Sequence, residues 1–324
     1  MLGVRQPRRS RRHHDPGTLT AARPSWPWVV GGSSTTVAGV TALSERLGFR
    51  AADRIVILSG DLLGSCHAAN IGVYESMRMG MVTSSSLMVP CPWARHAAAA
   101  YRGESVGVHL TLNAELDEYR WGPITHAPSL WDGDGGFPRT LADLWDHADL
   151  DEVRRESRSQ LERAVLWGFD VTHLTSHLQA LELRPEFFDI YLDLACEFQL
   201  PVRLPNAEAE NRAGFPMREL AADEDVLFPD RQLIVGNAGK RAIERALESL
   251  EPGVTELVVE PASDTPELRA IDPHWSGRVE QLEFVTRDSS LRAAFERSSV
   301  KLVDYELLRD SQRQDQNWVR SRSD

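Results

Sequence analysis

The chain has three cysteines in 324 residues, Cys66, Cys91 and Cys196, and no CxxC pair among them. That scarcity argues against a disulfide framework and against a cysteine zinc site, and it fits a reducing compartment. Long apolar runs are also missing, since none approaches the roughly 20 residues of a membrane span. Outside the start of the chain, basic residues are well outnumbered by acidic ones. The net charge is -12; the first 28 residues carry +5, so the remainder carries -17. An acidic body is a poor partner for nucleic acid phosphates and for anionic membrane. The run Arg8-Arg9-Ser10-Arg11-Arg12 resembles the basic start of an export signal, but Pro24, Pro27 and Gly31-Gly32 break the apolar region that should follow. Residues 1–40 therefore read as a disordered extension or an overlong gene start, and residues 311–324 as a polar tail. A cytoplasmic location is expected, and a homodimer is compatible with these features.

What remains is ordinary for a globular protein with a large core: 42% hydrophobic and 26% charged residues. Apolar, β-branched runs alternate with helical stretches from about residue 41 to residue 310. Strands are expected at 54–58, 81–89, 105–112, 171–174, 201–205, 233–235, 255–259 and 300–303. Helices are expected at 68–79, 94–101, 149–166, 186–198, 239–250, 275–282 and 289–298. Between them lie a Gly-, Pro- and Trp-rich loop over 113–138, of the kind that serves as a lid or binding loop, and a polar loop over 206–230. This alternation predicts an α/β fold of right-handed βαβ units in one domain, a distorted, TIM-like (β/α) barrel. In such a barrel the chemistry sits at the carboxyl ends of the strands.

Four residues of the right chemistry fall at or near such ends. Asp61 follows the run 55–58, His109 lies within 106–112, His177 follows 171–174, and Glu260 follows 255–259. Two imidazoles and a carboxylate on rigid supports leave open positions for water and substrate around a metal ion. Such an ion lowers the pKa of its water and polarises a carbonyl oxygen, which is equipment for amide hydrolysis. The bland alternative is a set of satisfied core residues. His173 reads more readily as core or supporting than as a ligand. His67 reads as a polar helix start, and His126, His147 and His274 as surface.

The stretches around these residues resemble the YdjC-like carbohydrate deacetylases, also called the ChbG/HpnK family, over roughly residues 53–308. The segment from Ser59-Gly60-Asp61-Leu62 to Asn70 is similar to the family's Asp-Asp-x-Gly segment. Gly107-Val108-His109-Leu110-Thr111-Leu112 matches its Gly-(Val/Leu)-His-Leu-Thr-Leu strand. Thr172-His173-Leu174-Thr175-Ser176-His177 is similar to its Thr-His-(Leu/Val)-Asp-Ser-His, and Glu256-Leu257-Val258-Val259-Glu260-Pro261 to its Glu-Leu-x-x-His-Pro. The resemblance implies a distorted (β/α) barrel that removes acetyl groups from N-acetylated sugars with a divalent cation such as Mg or Zn. It implies that Asp61 acts as base, that His109 and His177 bind metal, and that the segment with Arg120 and Trp121 meets the substrate.

Three positions depart from the pattern. Leu62 stands where the family has its metal-binding Asp, Thr175 where it has the Asp of Asp-Ser-His, and Glu260 where it has the His of His-Pro. Leucine cannot bind a cation, and ligand count sets affinity. Two accounts follow. In one, Asp61 turns to become the third ligand and Glu260 takes over acid/base work. In the other, the protein is a degenerate member that binds a sugar without cleaving it. A third function, a metal-free carboxylate pair of Asp61 and Glu260 working as in glycosidases, is testable from their separation.

Overall fold

The structure, a computed structural model, describes residues 42–236 and 238–320. The extension read at residues 1–40 lies outside the described residues. Seven strands carry the fold: β1 (Arg54–Leu63), β2 (Ser84–Leu87), β3 (Val106–Leu110), β4 (Val171–Ser176), β5 (Arg231–Gly236), β6 (Gly253–Val259) and β7 (Lys301–Val303). All pair in parallel, in the order β4-β3-β2-β1-β6-β5, with β7 beside the first half of β1. Every residue of β1 after Arg54 is buried, as are all of β3 and β4. Strands covered on both faces need unbroken apolar runs rather than alternation, which is why these segments stand out in the sequence.

The seam between β4 and β5 is crossed by the segment 201–206. The Leu174 N–H donates to the Pro201 carbonyl (3.0 Å), and the Arg203 N–H to the Leu174 carbonyl (2.9 Å). On the other side, Asn206 Nδ2 donates to the Gln232 carbonyl and the Gln232 N–H donates to Asn206 Oδ1, both at 2.8 Å. The sheet is thus drawn round into a distorted (β/α) barrel. The strand expected at 201–205 is reduced to one bridge, Leu174 to Val202, because Pro201 and Pro205 bring no ladder donors.

Two other expectations are corrected. The polar stretch 206–230 contains two short helices, Ala207–Ala213 and Met217–Asp223. The polar tail from residue 311 belongs to a helix, Tyr305–Arg320, and Gln312 within it is buried with its Oε1 accepting from the Leu227 N–H (2.7 Å). The sequence hides this because, past Tyr305 and Leu308, the buried residues of that helix are Arg309 and Gln312 rather than aliphatic ones.

The helix Leu150–Leu166 positions the site. Asp149 caps it by accepting from the N–H groups of Asp151 and Glu152. Three polar residues of this helix, Glu156, Ser157 and Gln160, are completely buried, and two of them hold neighbouring segments. Gln160 bonds both the N–H and the carbonyl of Thr111, at 2.9 and 2.8 Å, and so fixes the end of β3. Glu156 accepts from the N–H groups of Ile124 and Thr125 and from the Thr125 hydroxyl, and so anchors the 113–138 loop over the barrel. Buried polar groups must be paired, and here the pairing holds functional segments in place. Among the described residues no helix is long and apolar enough to cross a membrane.

Candidate functional site

The carboxyl end of the barrel carries two linked polar constructions. The first is set by an irregularity in β1. Gly60 pairs with Ser85 and Leu63 with Leu87, so β1 holds one extra residue at Asp61–Leu62. A bulge of this kind re-aims side chains and is common beside active sites. Leu62 takes it up in the left-handed region, with φ at 68°.

Asp61 then faces Arg203. Arg203 Nη1 donates to Asp61 Oδ2 (2.7 Å) and Nη2 to Oδ1 (2.9 Å), while Nε and Nη2 donate to the two oxygens of Glu256 at 2.9 and 2.6 Å. Ser59 Oγ donates to Glu256 Oε1 (2.7 Å). All of these groups are buried. Burial raises the Asp61 carboxyl, but the charge and hydrogen bonds of Arg203 outweigh it and hold the group below its ordinary value. Asp61 is thus favoured in its carboxylate form. Its partner is an arginine, and the carboxylate that shares the arginine is Glu256. Glu260 begins the turn after β6, where its N–H donates to Gln281 Oε1 and its carbonyl accepts from Arg278.

The second construction is a string of imidazoles. His109 Nδ1 lies 2.6 Å from Thr175 Oγ1, and His109 Nε2 lies 3.3 Å from His177 Nδ1. His177 Nε2 lies 2.9 Å from Glu115 Oε2. The partners assign the protons. Thr175 gives its hydroxyl proton to Ser86 Oγ (3.0 Å), so toward His109 it accepts and Nδ1 carries the hydrogen. Burial pushes His109 down to about 3, against the pull of Asp61, so the ring is neutral and its Nε2 is a lone pair. A carboxylate only accepts, so His177 carries its proton on Nε2. In the neutral form of His177, Nδ1 is then a lone pair as well.

With both rings neutral, two lone pairs would face each other at 3.3 Å, and either a cation between them or a proton on His177 Nδ1 would relieve the repulsion. Two imidazole nitrogens about 2.1 Å from one ion are separated by about this distance. Metal-binding histidines also give their other N–H to a carboxylate or hydroxyl, as His177 gives to Glu115 and His109 to Thr175. The pair therefore fits a cation. A third protein ligand does not accompany it: among the described residues no group of three or more His, Cys, Asp or Glu is placed to hold a metal ion. Leu62, at the position where the resemblance puts a carboxylate, has no donor.

Backbone strain concentrates here too. Leu178 and Gln179, directly after His177, both have positive φ, at 55° and 60°. Together with Leu62 they make three left-handed side-chain-bearing residues flanking the site, and such strain gathers where function over-determines the backbone.

A sequence model described as YdjC-like protein matches residues 55–297. The chain belongs to the YdjC-like family. A carbohydrate deacetylase of Thermus thermophilus is 38% identical over 244 residues, 73% of this chain and 87% of that one. A carbohydrate deacetylase of Geobacillus stearothermophilus is 29% identical over 256 residues, 78% of this chain and 97% of that one. Among solved structures, a provisionally named cellobiose-phosphate cleavage protein of Enterococcus faecalis superposes with a TM-score of 0.68 at 26% identity, covering 79% of this chain and 99% of that one.

Of the expected site residues, the structure brings His109 and His177 together and turns Asp61 to Arg203. It uses Arg120 and Trp121 inside the loop. Both terminal nitrogens of Arg120 bond loop groups, the carbonyls of Ala114 and Phe137 and the Asp132 carboxylate. Trp121 is buried, with Nε1 donating to the Asn113 carbonyl (2.8 Å) and its ring 6.3 Å from that of His177. These two residues shape the loop that covers His177, which leaves little of either for direct contact with a sugar. His173 stacks on Tyr305 at 3.7 Å, inside the barrel, as a core residue. Gly107 opposite it has no room for a side chain, since a Cβ would lie 2.3 Å from the His173 carbonyl oxygen. Sequence reading missed Arg203, Glu256 and Glu115. The first two had a signal, a charge inside an apolar strand-like run, where an unpaired charge does not survive. Glu115 lies in an irregular loop and had none.

Proposed function

We propose that this protein is an amide hydrolase that removes acetyl groups from N-acetylated sugars, and that it holds a divalent cation, Mg or Zn, less firmly than a three-ligand site would. The observation that carries the reading is the His109–His177 pair, with facing ring nitrogens 3.3 Å apart and outer nitrogens against Thr175 and Glu115. Membership of a family whose relatives are named carbohydrate deacetylases supplies the substrate class. His109 and His177 would hold the ion, with Asp61 as the nearby carboxylate. A bound divalent ion would supply polarisation of the acetyl carbonyl and a more acidic water.

The remaining work falls to the chain's own groups. Arg203 fixes both oxygens of Asp61 and holds it as a carboxylate; Asp61 is assigned the proton of the attacking water, with a basicity that Arg203 lowers. Thr175 and Glu115 hold the two rings in the required tautomers. Glu260, on the same rim at the end of β6, is assigned proton delivery to the leaving amine. The 113–138 loop, through Trp121, covers His177 and excludes bulk water. Leu62 favours a second reading, a sugar-binding member without hydrolysis, because it removes a family ligand.

Acetate release from N-acetylated mono- and oligosaccharides separates the two. The protein should be assayed after chelation and again after addition of Mg or Zn, with elemental analysis of the purified sample. Acetate release that rises on adding the ion is the expected result. No acetate from any sugar under any ion condition would leave only the binding reading.

A further inference from the structure

Three rings gather on the carboxyl rim beside the site, outside the machinery described above. His67 opens the helix His67–Arg78 directly after the β1 turn, and Trp93 and His96 follow β2. The ring centroids lie 4.8 Å apart for His67–Trp93, 5.1 Å for His67–His96 and 5.4 Å for Trp93–His96. Trp93 and His67 are half-buried and His96 is exposed.

The cluster is built onto the turn that carries Asp61. Asn70, itself buried, accepts from the Gly64 N–H (2.7 Å) and donates to the Trp93 carbonyl (3.0 Å). The Trp93 N–H donates back to the Gly64 carbonyl (3.1 Å). Asn70 Nδ2 also lies 3.1 Å from His96 Nδ1. An amide nitrogen only donates, so His96 Nδ1 accepts and its proton is on Nε2, a donor on an exposed ring.

A line of rings joins this cluster to the imidazole pair. Trp121 is 6.3 Å from His177, and Tyr119 is 6.1 Å from Trp121. Tyr119 donates its hydroxyl to the Ser65 carbonyl (2.8 Å), and with Trp93 it packs on Cys66, Ala68 and Ala69. Pyranose rings present apolar C–H faces edged by hydroxyls. A half-exposed indole flanked by imidazole donors and acceptors matches that pattern of apolar face and polar edge.

We propose that His67, Trp93 and His96 form a second sugar subsite, which takes the neighbouring ring of an oligosaccharide whose acetamido group lies at His109 and His177. The proposal rests on the hydrolase reading for what lies at the imidazole pair. Packing alone would also account for a ring cluster, but it would not make the enzyme sensitive to the length of its substrate.

The test compares N-acetylglucosamine with its β-1,4-linked dimer, in wild type, Trp93→Ala, Trp93→Phe and His96→Ala, with thermal melts to confirm folding. The ratio of kcat/KM for dimer over monomer should fall about tenfold in Trp93→Ala. It should fall less in His96→Ala and be largely kept in Trp93→Phe, which retains a stacking face. A ratio within twofold of wild type in folded Trp93→Ala overturns the subsite. Should that variant not fold, an unchanged ratio in His96→Ala overturns it, and a reduced one supports it. If wild type releases no acetate from either sugar, the hydrolase reading fails and calorimetry reads the subsite by itself. Tighter binding of the dimer that is lost in Trp93→Ala or His96→Ala supports it, and equal binding of both lengths overturns it.

Discussion

Replacing Leu62 by Asp asks how much of the cation site persists around it. Leu62 is 7% exposed and has φ at 68°. Three terms decide the cost of Leu62→Asp without metal. A leucine held in the left-handed region costs about 1 kcal/mol, and Asp tolerates that region better, so the change recovers part of this. Loss of the buried aliphatic side chain costs about 2 kcal/mol. A buried carboxylate without a partner costs several kcal/mol more. The net loss is on the order of 4 kcal/mol. For a chain of this size that is a fall in Tm of roughly 10 °C in the presence of a chelator. An ion that binds only the folded state returns RT ln(1 + [L]/Kd), about 2.7 kcal/mol at a hundredfold excess over Kd. Leu62→Asp should therefore regain more than half of the lost Tm on addition of Zn or Mg, and wild type should respond less. Leu62→Asn isolates the backbone effect, with a smaller loss and no added ion response. His109→Ala in the Leu62→Asp background should abolish the response. Thermal melts with and without ion check all four proteins. A wild type that gains as much as Leu62→Asp would refute the reasoning, since Asp61 would then already be serving as the third ligand.

Other perturbations follow from the same geometry. Arg203→Met leaves Asp61 and Glu256 buried without their cation, and urea unfolding should show a loss of about 3–5 kcal/mol; a loss below 1 kcal/mol would mean that the pair is solvated. Glu115→Gln frees the outer nitrogen of His177 from a carboxylate, and ion titrations should show an affinity about 10- to 100-fold weaker. Glu182 is completely buried, and burial pushes it up to about 8 against the opposing pull of the Ser176 hydroxyl and nearby backbone N–H groups. Between the usual 4.5 and about 8 the folded protein keeps a proton that the unfolded chain has lost, so stability falls as pH rises, by on the order of 1.4 kcal/mol per unit. His109, pushed down to about 3, gives the opposite slope below 6.5, so from pH 6.5 to 8 the Glu182 slope should dominate urea melts, and Glu182→Gln should leave only the weaker contribution of exposed His147, which the Asp143 carbonyl raises. A flat wild-type profile over that window would contradict it.

The parts of the fold legible in the sequence are those in which one residue type meets one constraint. Strands buried on both faces must be runs of Val, Ile and Leu, so β1, β3 and β6 announce themselves. His109 and His177 are visible because an imidazole at the end of such a run needs a reason. The rest depends on long-range geometry. Arg203 pairs with residues 142 and 53 positions away in the chain, and no local pattern encodes that choice. Gln312 and Gln160 carry no local signal of burial, yet each is buried and satisfies a backbone group of another segment. Arg120 and Trp121 sit in a loop of binding-loop composition. Their contacts show that such composition can equally be spent on holding the loop together.

The bulge at Asp61–Leu62 explains why a lost ligand need not mean a lost site. Its shape is not made by Leu62. It is set by the one-residue excess of β1 over β2, by Asn70 holding the Gly64 N–H, and by Arg203 holding both oxygens of Asp61. A leucine at φ 68° breaks a local rule that Asp or Asn would satisfy more easily. The strain is thus imposed on Leu62 by its surroundings. On the hydrolase reading, those surroundings, including the facing imidazoles and their Thr175 and Glu115 partners, would keep the form of a cation site independently of the residue at position 62. A carboxylate restored there would enter a backbone already in the required conformation, beside ligands already in the required tautomers. That is the physical reason to expect one substitution to restore ion binding, where a decayed site would need several.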